Sequence, residues 1–478
     1  MFMALFLFVL FGRYFGNLFD VLQDSDSCWL IQTGLRIVQQ HALPLFNPFS
    51  GGDPVLGHIP IVCYQWLFEV MLGVSYRALG LPGVGWFIAA CFALTYAVLT
   101  LWLYRRGVKA VPDLLVCLLI SLMSLKSYAL ARPPLMTLLF SALLLWFCSM
   151  AFSRRKAWLV FPLLFLFWAN LHLGFIAGLM IFALRTAERA WQEKSWQPVY
   201  LWLACVVVTF VNPYGPQVFA YFYQLANSPF MNHHIYELGS PPFNVQPMFL
   251  VYFLLMMLAA FFAFRDARIG WSDKVFFGVS LALSLYSMRH IFLLVLASLP
   301  LLAVAIEGLR KRCPSLPATF QAFSFNSFTA ERERPWLWIV MMLILGLVLA
   351  QQIAYTVQFP QETKLSGVVR YIRQHSLPGP LLSNEIWGSY LIFFTNKRSY
   401  LDSRMDMYGD AWVKRMADTI SLEGNWRNVF QQYRFRYVLL SPASLQFRYL
   451  HGACRAPILY QDAYTALLNV ESLSAQCQ

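Results

Sequence analysis

The chain has 478 residues, of which 59% are hydrophobic and only 12% are Asp, Glu, Lys or Arg. A soluble protein carries about 25% charged residues, and at this length it splits into polar-surfaced domains. So few charges exclude a cytosolic enzyme, a disordered scaffold and a small disulfide-stapled module, and leave a multi-pass membrane protein.

The formal net charge of +13 comes from 36 Lys and Arg against 23 Asp and Glu. In a soluble protein that excess points to nucleic acid. Between apolar spans it points to cytoplasmic loops, and no nucleic-acid partner is expected.

Residues 1–18 are apolar around Arg13, with neither a basic leader nor a small-residue cleavage site, so a first, uncleaved span is expected there. A polar stretch rich in Pro and Gly follows to residue 64. Within it the sequence predicts a helix over 28–40, capped by Asp26 or Ser27. Residues 66–79 are apolar but too short for a span, and read as an interfacial or re-entrant helix. Further apolar runs cover 84–104, 110–129, 134–152, 157–170, 173–190, 198–213, 247–264, 274–288, 291–306 and 336–358. Several fall short of the ~20 residues a bilayer needs, as helices lining a protein-buried cavity do.

Basic clusters fall at alternate connections: Arg105, Arg106 and Lys109; Arg154, Arg155 and Lys156; Arg185, Arg189 and Lys194; Arg265, Arg268 and Lys274; Lys311 and Arg312 with Arg332 and Arg334. Placing all of them in the cytoplasm gives about 11 spans, with the N-terminus inside and the C-terminus outside. From Gln361 onward, strand-like runs (380–382, 399–401, 436–440, 465–470) alternate with helical patterns (364–375, 411–420, 426–433). The expected architecture is a multi-pass α-helical membrane domain over 1–360, with a long first outer loop at about 20–83, and a small extracytoplasmic α/β domain over 361–478. Of nine cysteines, Cys91, Cys117, Cys148 and Cys205 lie in apolar runs as small core residues. Cys454 with Cys477, and Cys28 with Cys63, are pairs that can form disulfides on the oxidising side.

This topology puts one set of polar groups on the outer face. The first loop supplies Asp20, Asp24, Asp26, His41, Asp53, His58, Gln65 and Glu69. Later turns add Arg132, Asn170, His172, Asn212, His233, His234, Glu237, Arg289 and His290. Each has a plain structural explanation: a helix cap, the polar stripe of an interfacial helix, a snorkelling arginine, a satisfied core histidine. None of these explains why all share one side. Ionisable groups at membrane depth are costly and usually functional. Carboxylates beside arginines suit a phosphorylated, membrane-embedded substrate: the guanidinium fork fits phosphate oxygens, and a carboxylate takes a proton or helps to hold a divalent cation. No Walker loop, G-x-G-x-x-G or G-x-S-x-G motif occurs.

Asp24-Ser25-Asp26-Ser27-Cys28-Trp29-Leu30-Ile31-Gln32-Thr33-Gly34, His41 to Ser50 and Tyr64-Gln65-Trp66-Leu67-Phe68-Glu69 form a series of short motifs. They continue through Ala131-Arg132-Pro133, Asn170-Leu171-His172, Asn212-Pro213-Tyr214-Gly215, Arg289-His290 and the run from Leu401 to Asp410. With this layout the chain resembles the GT-C superfamily of membrane glycosyltransferases, which includes protein O-mannosyltransferases, the lipid A aminoarabinose transferase and oligosaccharyltransferases. It is most similar to a bacterial group within it.

The resemblance implies sugar transfer from a polyprenyl-phosphate-linked donor to an acceptor at the outer face of a bacterial cytoplasmic membrane. It implies Asp26 as catalytic base, with Asp24 close behind, and either acid as a ligand for Mg or Mn. Arg132, His172 and Arg289 would lie near the carrier phosphate, with His290, Glu69, Gln65 and His58 completing the substrate-binding group. Leu30, Asn47 and Gln65 depart from the group's pattern, which tends to have His, Asp and Glu there. Asp402, Arg404, Asp406 and Asp410 follow an expected strand, where they either bind acceptor or form a surface loop held by Asp–Arg pairs. The competing expectation is a lipid-linked saccharide transporter or an inactive binding protein on the same scaffold. The absence of Asn-x-Ser/Thr sequons fits a bacterial envelope.

Overall fold

The structure, a computed structural model, describes residues 22, 24–49, 55–312, 362–375, 377–395, 399–471, 473 and 477. The expected spans at 1–18 and 336–358, with Asp20, Asp53, Arg332 and Arg334, lie outside the described residues. The chain forms two compact units. One contains Gly85–Ala220 and the described part of Asn232–Thr356. The other gathers the described residues of Asp20–Val84, the segment Tyr221–Met231 and those of Val357–Gln478.

The first unit is helical. Every apolar run from 84–104 to 291–306 coincides with a helix: Trp66–Arg105, Val111–Leu125, Pro134–Cys148, Arg154–Leu171, Phe175–Glu193, Gln197–Val208, Pro247–Ala263, Trp271–Tyr286 and Ile291–Arg312. Prolines open three of them, where the missing N–H has no intrahelical partner to lose. Among the described residues, Trp66–Arg105 and Met288–Arg312 are long and apolar enough to cross a membrane. The helix Ile291–Arg312 is buried along most of its length and packs against Val111–Leu125, Pro247–Ala263 and Trp271–Tyr286. An all-round apolar helix of this kind belongs at the centre of a bundle.

The basic connections meet at one end of this unit. Asp273 receives Arg106 at 2.6 Å and Arg185 at 2.7 Å. Arg106 also donates to the carbonyl of Arg268, which pairs with Glu307 at 2.6 Å, and Arg310 pairs with Asp113 at 3.0 Å. Cations from four separate connections thus share an end, as their alternation in sequence predicts. At the opposite end of the helix Ile291–Arg312 stand Arg289 and His290, with Arg132 and Glu237 beside them.

The second unit combines the first loop with an α/β layer. Its sheet runs β1 (Leu381–Leu382), β2 (Tyr437–Leu440), β4 (Ala466–Asn469), β3 (Ile458–Gln461), with β1 parallel to β2 and the other pairs antiparallel. Val438 and Leu440 share one face with Ala466, Leu468 and Val470 and pack on Val413, Met416, Trp426 and Phe430 from helices Asp410–Ile420 and Trp426–Tyr433. All four β2 residues are buried, which is the burial expected of a strand covered on both faces. The expected strand at 399–401 does not form. Tyr400 N–H reaches the Leu381 carbonyl at 3.2 Å, but its own carbonyl accepts the Trp412 indole at 3.0 Å, so no ladder develops. Helix Glu385–Thr395 and β3 were not expected from the sequence. Cys454 and Cys477 form a disulfide; Cys28 and Cys63 are both buried and are not disulfide-bonded among the described residues.

Residues 66–79 form a helix of their own, as expected: Gly80, whose φ of 67° and ψ of −153° are not helical and which a side chain rarely tolerates, separates it from the run that continues to Arg105. This segment crosses helix Asp26–Gln40 at backbone contact: a Cβ on Gly34 would lie 1.8 Å from the Glu69 carbonyl oxygen, and one on Gly73 2.5 Å from the Gly34 carbonyl carbon. The backbone itself is the obstacle, so Gly34→Ala is expected to destabilise the protein by about 1–3 kcal/mol. The midpoint of thermal unfolding in detergent measures this.

Candidate active site

The first-loop acids lie on helix Asp26–Gln40 and its entry. The expected cap is corrected: Ser25, not Asp26 or Ser27, is the N-cap residue, and its side chain makes no capping bond. Asp24 takes over the local role, accepting the Asp26 N–H on Oδ1 at 2.8 Å. Asp26 Oδ1 accepts the Trp29 indole N–H at 3.2 Å. The helix-end explanation therefore applies to Asp24, while Asp26 sits half-buried in the first turn, where the helix dipole favours a carboxylate.

Two further acids come from elsewhere. Glu69 is 1% exposed; Oε1 accepts from Gln65 at 3.4 Å, and Oε2 has no hydrogen-bond partner among the described residues. An orphaned, buried carboxylate oxygen is expensive and needs a reason to persist. Asp406 accepts the Tyr221 hydroxyl, and Asp26 acts on it electrostatically. Burial pushes the Asp406 carboxyl up; the Tyr221 hydrogen bond opposes this, and the Asp26 charge adds to the rise. Glu69 in turn responds to both Arg404 and Asp406. Asp406 thus acts electrostatically with both Asp26 and Glu69, acids drawn from two other segments.

The 401–410 run divides its labour. Arg404 is 2% exposed and forms a fork with Asp402, Nε to Oδ1 at 2.9 Å and Nη2 to Oδ2 at 2.7 Å. Its Nη1 donates to Asn47 Oδ1 at 2.8 Å, and its guanidinium lies 4.8 Å from the centre of the Phe49 ring. Arg36 covers Phe49 at 4.9 Å. Asp410 accepts from Ser228 and from the Phe230 N–H, fastening the segment Tyr221–Met231. The Asp–Arg pairing expected of a surface loop is present but buried, and its product is the placement of Asp406. Asn47 is buried and accepts from both Arg404 and the Phe49 N–H, and Leu30 is fully buried. His41 and His58 are exposed, away from any described bond to the acids.

In the first unit a second constellation forms around Glu237. Arg132 Nη1 donates to Glu237 Oε1 at 2.8 Å, and Arg289 Nε lies 3.8 Å from Oε2. Tyr128 Oη donates to the Arg289 carbonyl at 3.0 Å. His172 Nδ1 accepts the Gly174 N–H at 3.2 Å and lies 2.6 Å from Thr137 Oγ1, which itself accepts the Trp168 indole at 3.2 Å. With Nδ1 accepting, the neutral ring carries its proton on Nε2. Gly174 is obligatory here, since a Cβ would meet Thr137 Oγ1 at 1.9 Å. Both arginines act electrostatically on His172. His290 belongs to the same turn as Arg289, and its Nδ1 is buried without a hydrogen-bond partner among the described residues.

A divalent cation of the Mg or Mn type takes about six oxygen ligands. Among the described residues no three His, Cys, Asp or Glu side chains converge to hold a metal ion, and Asp24 and Asp26 each commit an oxygen to a protein donor. The described donors do not by themselves make up a cation site.

No protein-family model matches the chain, and no curated protein matches it. Solved structures do. The crystal structure of ArnT from Cupriavidus metallidurans bound to undecaprenyl phosphate superimposes with a TM-score of 0.51 at 14% identity, covering 97% of each chain. At this identity the likeness is one of fold. The archaeal oligosaccharyltransferase AglB from Archaeoglobus fulgidus, in complex with an inhibitory peptide and a dolichol-phosphate, has a TM-score of 0.45 at 10% identity, covering 88% of this chain and 66% of that one. The resemblance expected from the short motifs therefore holds at the level of fold.

Proposed function

We propose that the chain is a glycosyltransferase that moves a sugar from a polyprenyl-phosphate carrier to an acceptor at the outer face of the bacterial cytoplasmic membrane. The likeness of fold to ArnT carries this reading, supported by Asp26, Glu69 and Asp406, acids from three segments coupled electrostatically through Asp406. Asp26 is the base: its carboxylate takes the proton of an acceptor hydroxyl as the oxygen attacks the anomeric carbon. The bond between that carbon and the phosphate oxygen breaks, and its electron pair leaves with the carrier phosphate. Arg132 and Arg289 bind that phosphate, and the His172 Nε2–H is a further donor for it. Glu69 and Gln65 hold the sugar or acceptor hydroxyls.

In this reading the chain has about 11 spans with the N-terminus inside. The cations gathered at one end of the first unit support that orientation. The exposed apolar side chains of Pro247–Ala263, such as Leu254 and Phe261, suit lipid contact and support a membrane location. The Cys454–Cys477 disulfide favours an oxidising compartment for the segment 361–478.

The test is turnover of radiolabelled undecaprenyl-phosphate-linked sugars by the purified protein with envelope lipids and glycans as acceptors. Label is expected to leave the carrier for an acceptor fraction. Carrier binding without any turnover would assign the chain to a transporter or an inactive binder.

A further inference from the structure

Glu237 stands on the short turn Tyr236–Leu238, in a loop that leads to helix Pro247–Ala263. Its two carboxylate oxygens face different arginines from different turns, Arg132 at 2.8 Å and Arg289 at 3.8 Å. The loop backbone is fastened independently of that carboxylate. Ser287 Oγ donates to the Glu237 carbonyl at 3.1 Å, the Met288 N–H to the Gly239 carbonyl at 2.9 Å, and Ser240 Oγ to the Tyr286 carbonyl at 3.3 Å. The side chain can therefore swing out while the loop stays in place.

Leaving is inexpensive, because the Glu237 side chain is 47% exposed and water can solvate it. Partial burial pushes its carboxyl up, but Arg132 and then Arg289 outweigh this and hold it below its ordinary range, so it is an anion at neutral pH. Both guanidiniums thus face this one carboxylate. A phosphate monoester carries about −1.5 to −2 at pH 7 and matches them better.

We propose that Glu237 is an exchangeable counter-ion, which holds Arg132 and Arg289 together and yields them to the phosphate of the lipid carrier. This rests on the assignment of those two arginines to the carrier phosphate. In the transfer reaction the carrier phosphate gains a second negative charge as the sugar leaves, so the exchange favours the departing group over the intact donor. Glu237 is a positioning residue: it touches the arginines, not the reacting atoms.

The experiment measures binding of farnesyl phosphate and of farnesol to the full-length protein in detergent, with unfolding midpoints recorded for each variant. Glu237→Gln and Glu237→Ala are expected to bind farnesyl phosphate about three- to tenfold tighter, with farnesol unchanged, as removal of a competing, half-exposed ion pair requires. Glu237→Asp keeps the charge but is too short to reach both arginines, and gives a smaller gain. Arg132→Gln and Arg289→Gln are expected to weaken farnesyl phosphate alone. Weakened arginine variants with no tightening in any folded Glu237 variant overturn the counter-ion. Arginine variants that bind farnesyl phosphate like the wild type overturn the phosphate assignment itself.

Discussion

Asp26→Asn is expected to lower turnover of a polyprenyl-phosphate-linked sugar by about 10²–10⁴-fold, the usual contribution of a general base. Asparagine keeps the shape of the side chain and an oxygen for the Trp29 indole, whose bond to Asp26 Oδ1 is 3.2 Å long. The helix and its packing should therefore persist, and only the basicity is lost. Asp24→Asn separates the two acids, since Asp24 is engaged with the Asp26 N–H and its loss falls on the helix entry. It should cost stability before it costs rate. Single-turnover kinetics with a labelled donor, alongside unfolding midpoints, measure both variants. Wild-type turnover in Asp26→Asn would remove Asp26 from the chemistry and leave Glu69 and Asp406 as the remaining acids.

Arg404→Ala is expected to destabilise the protein by about 3–5 kcal/mol, the cost of leaving one member of a buried ion pair alone. Asp402 is fully buried and would keep the Tyr408 hydroxyl and the backbone N–H of residue 404, the charged fork being gone. Asn47 would lose its guanidinium donor and Phe49 one of the two arginines that cover it. Because the same run carries Asp406, turnover should fall with stability. Replacing both partners, Asp402→Leu with Arg404→Met, should recover a large part of the stability, since no unpaired charge is left inside. It should recover less of the activity, because Asn47 then lacks its guanidinium donor. Denaturant unfolding followed by fluorescence, with activity assayed on the same samples, checks the pair of outcomes. Equal stability of Arg404→Ala and wild type would show the fork to be dispensable.

The positions of Asp26, Glu69, Arg132 and Arg289 in the argument were legible from residue type and from the side of the membrane that charge alternation assigns. The structure brings Arg132 and Arg289 onto one carboxylate and couples Asp406 electrostatically to Asp26 and Glu69, while His41 and His58 are exposed. Tyr221 carried no signal, because an aromatic in an apolar helix is ordinary until its hydroxyl finds a partner. The strand expected at 399–401 failed for a related reason: its alternation is real, but the Trp412 indole claims the carbonyl a ladder would need.

What the sequence by itself determined is what short-range chemistry controls. Apolar runs became helices where they stood, prolines opened them, and basic connections met at one end, since each depends on neighbours a few residues away or on the bilayer as a common reference. Only the tertiary structure decided which polar groups meet. Asn47 and Arg404 are 357 residues apart, Tyr221 and Asp406 185, Arg132 and Glu237 105. Such contacts are set by packing, above all by the bare backbone crossing at Gly34 and Gly73 and by the buried fork at Arg404, and no local pattern of residues encodes them.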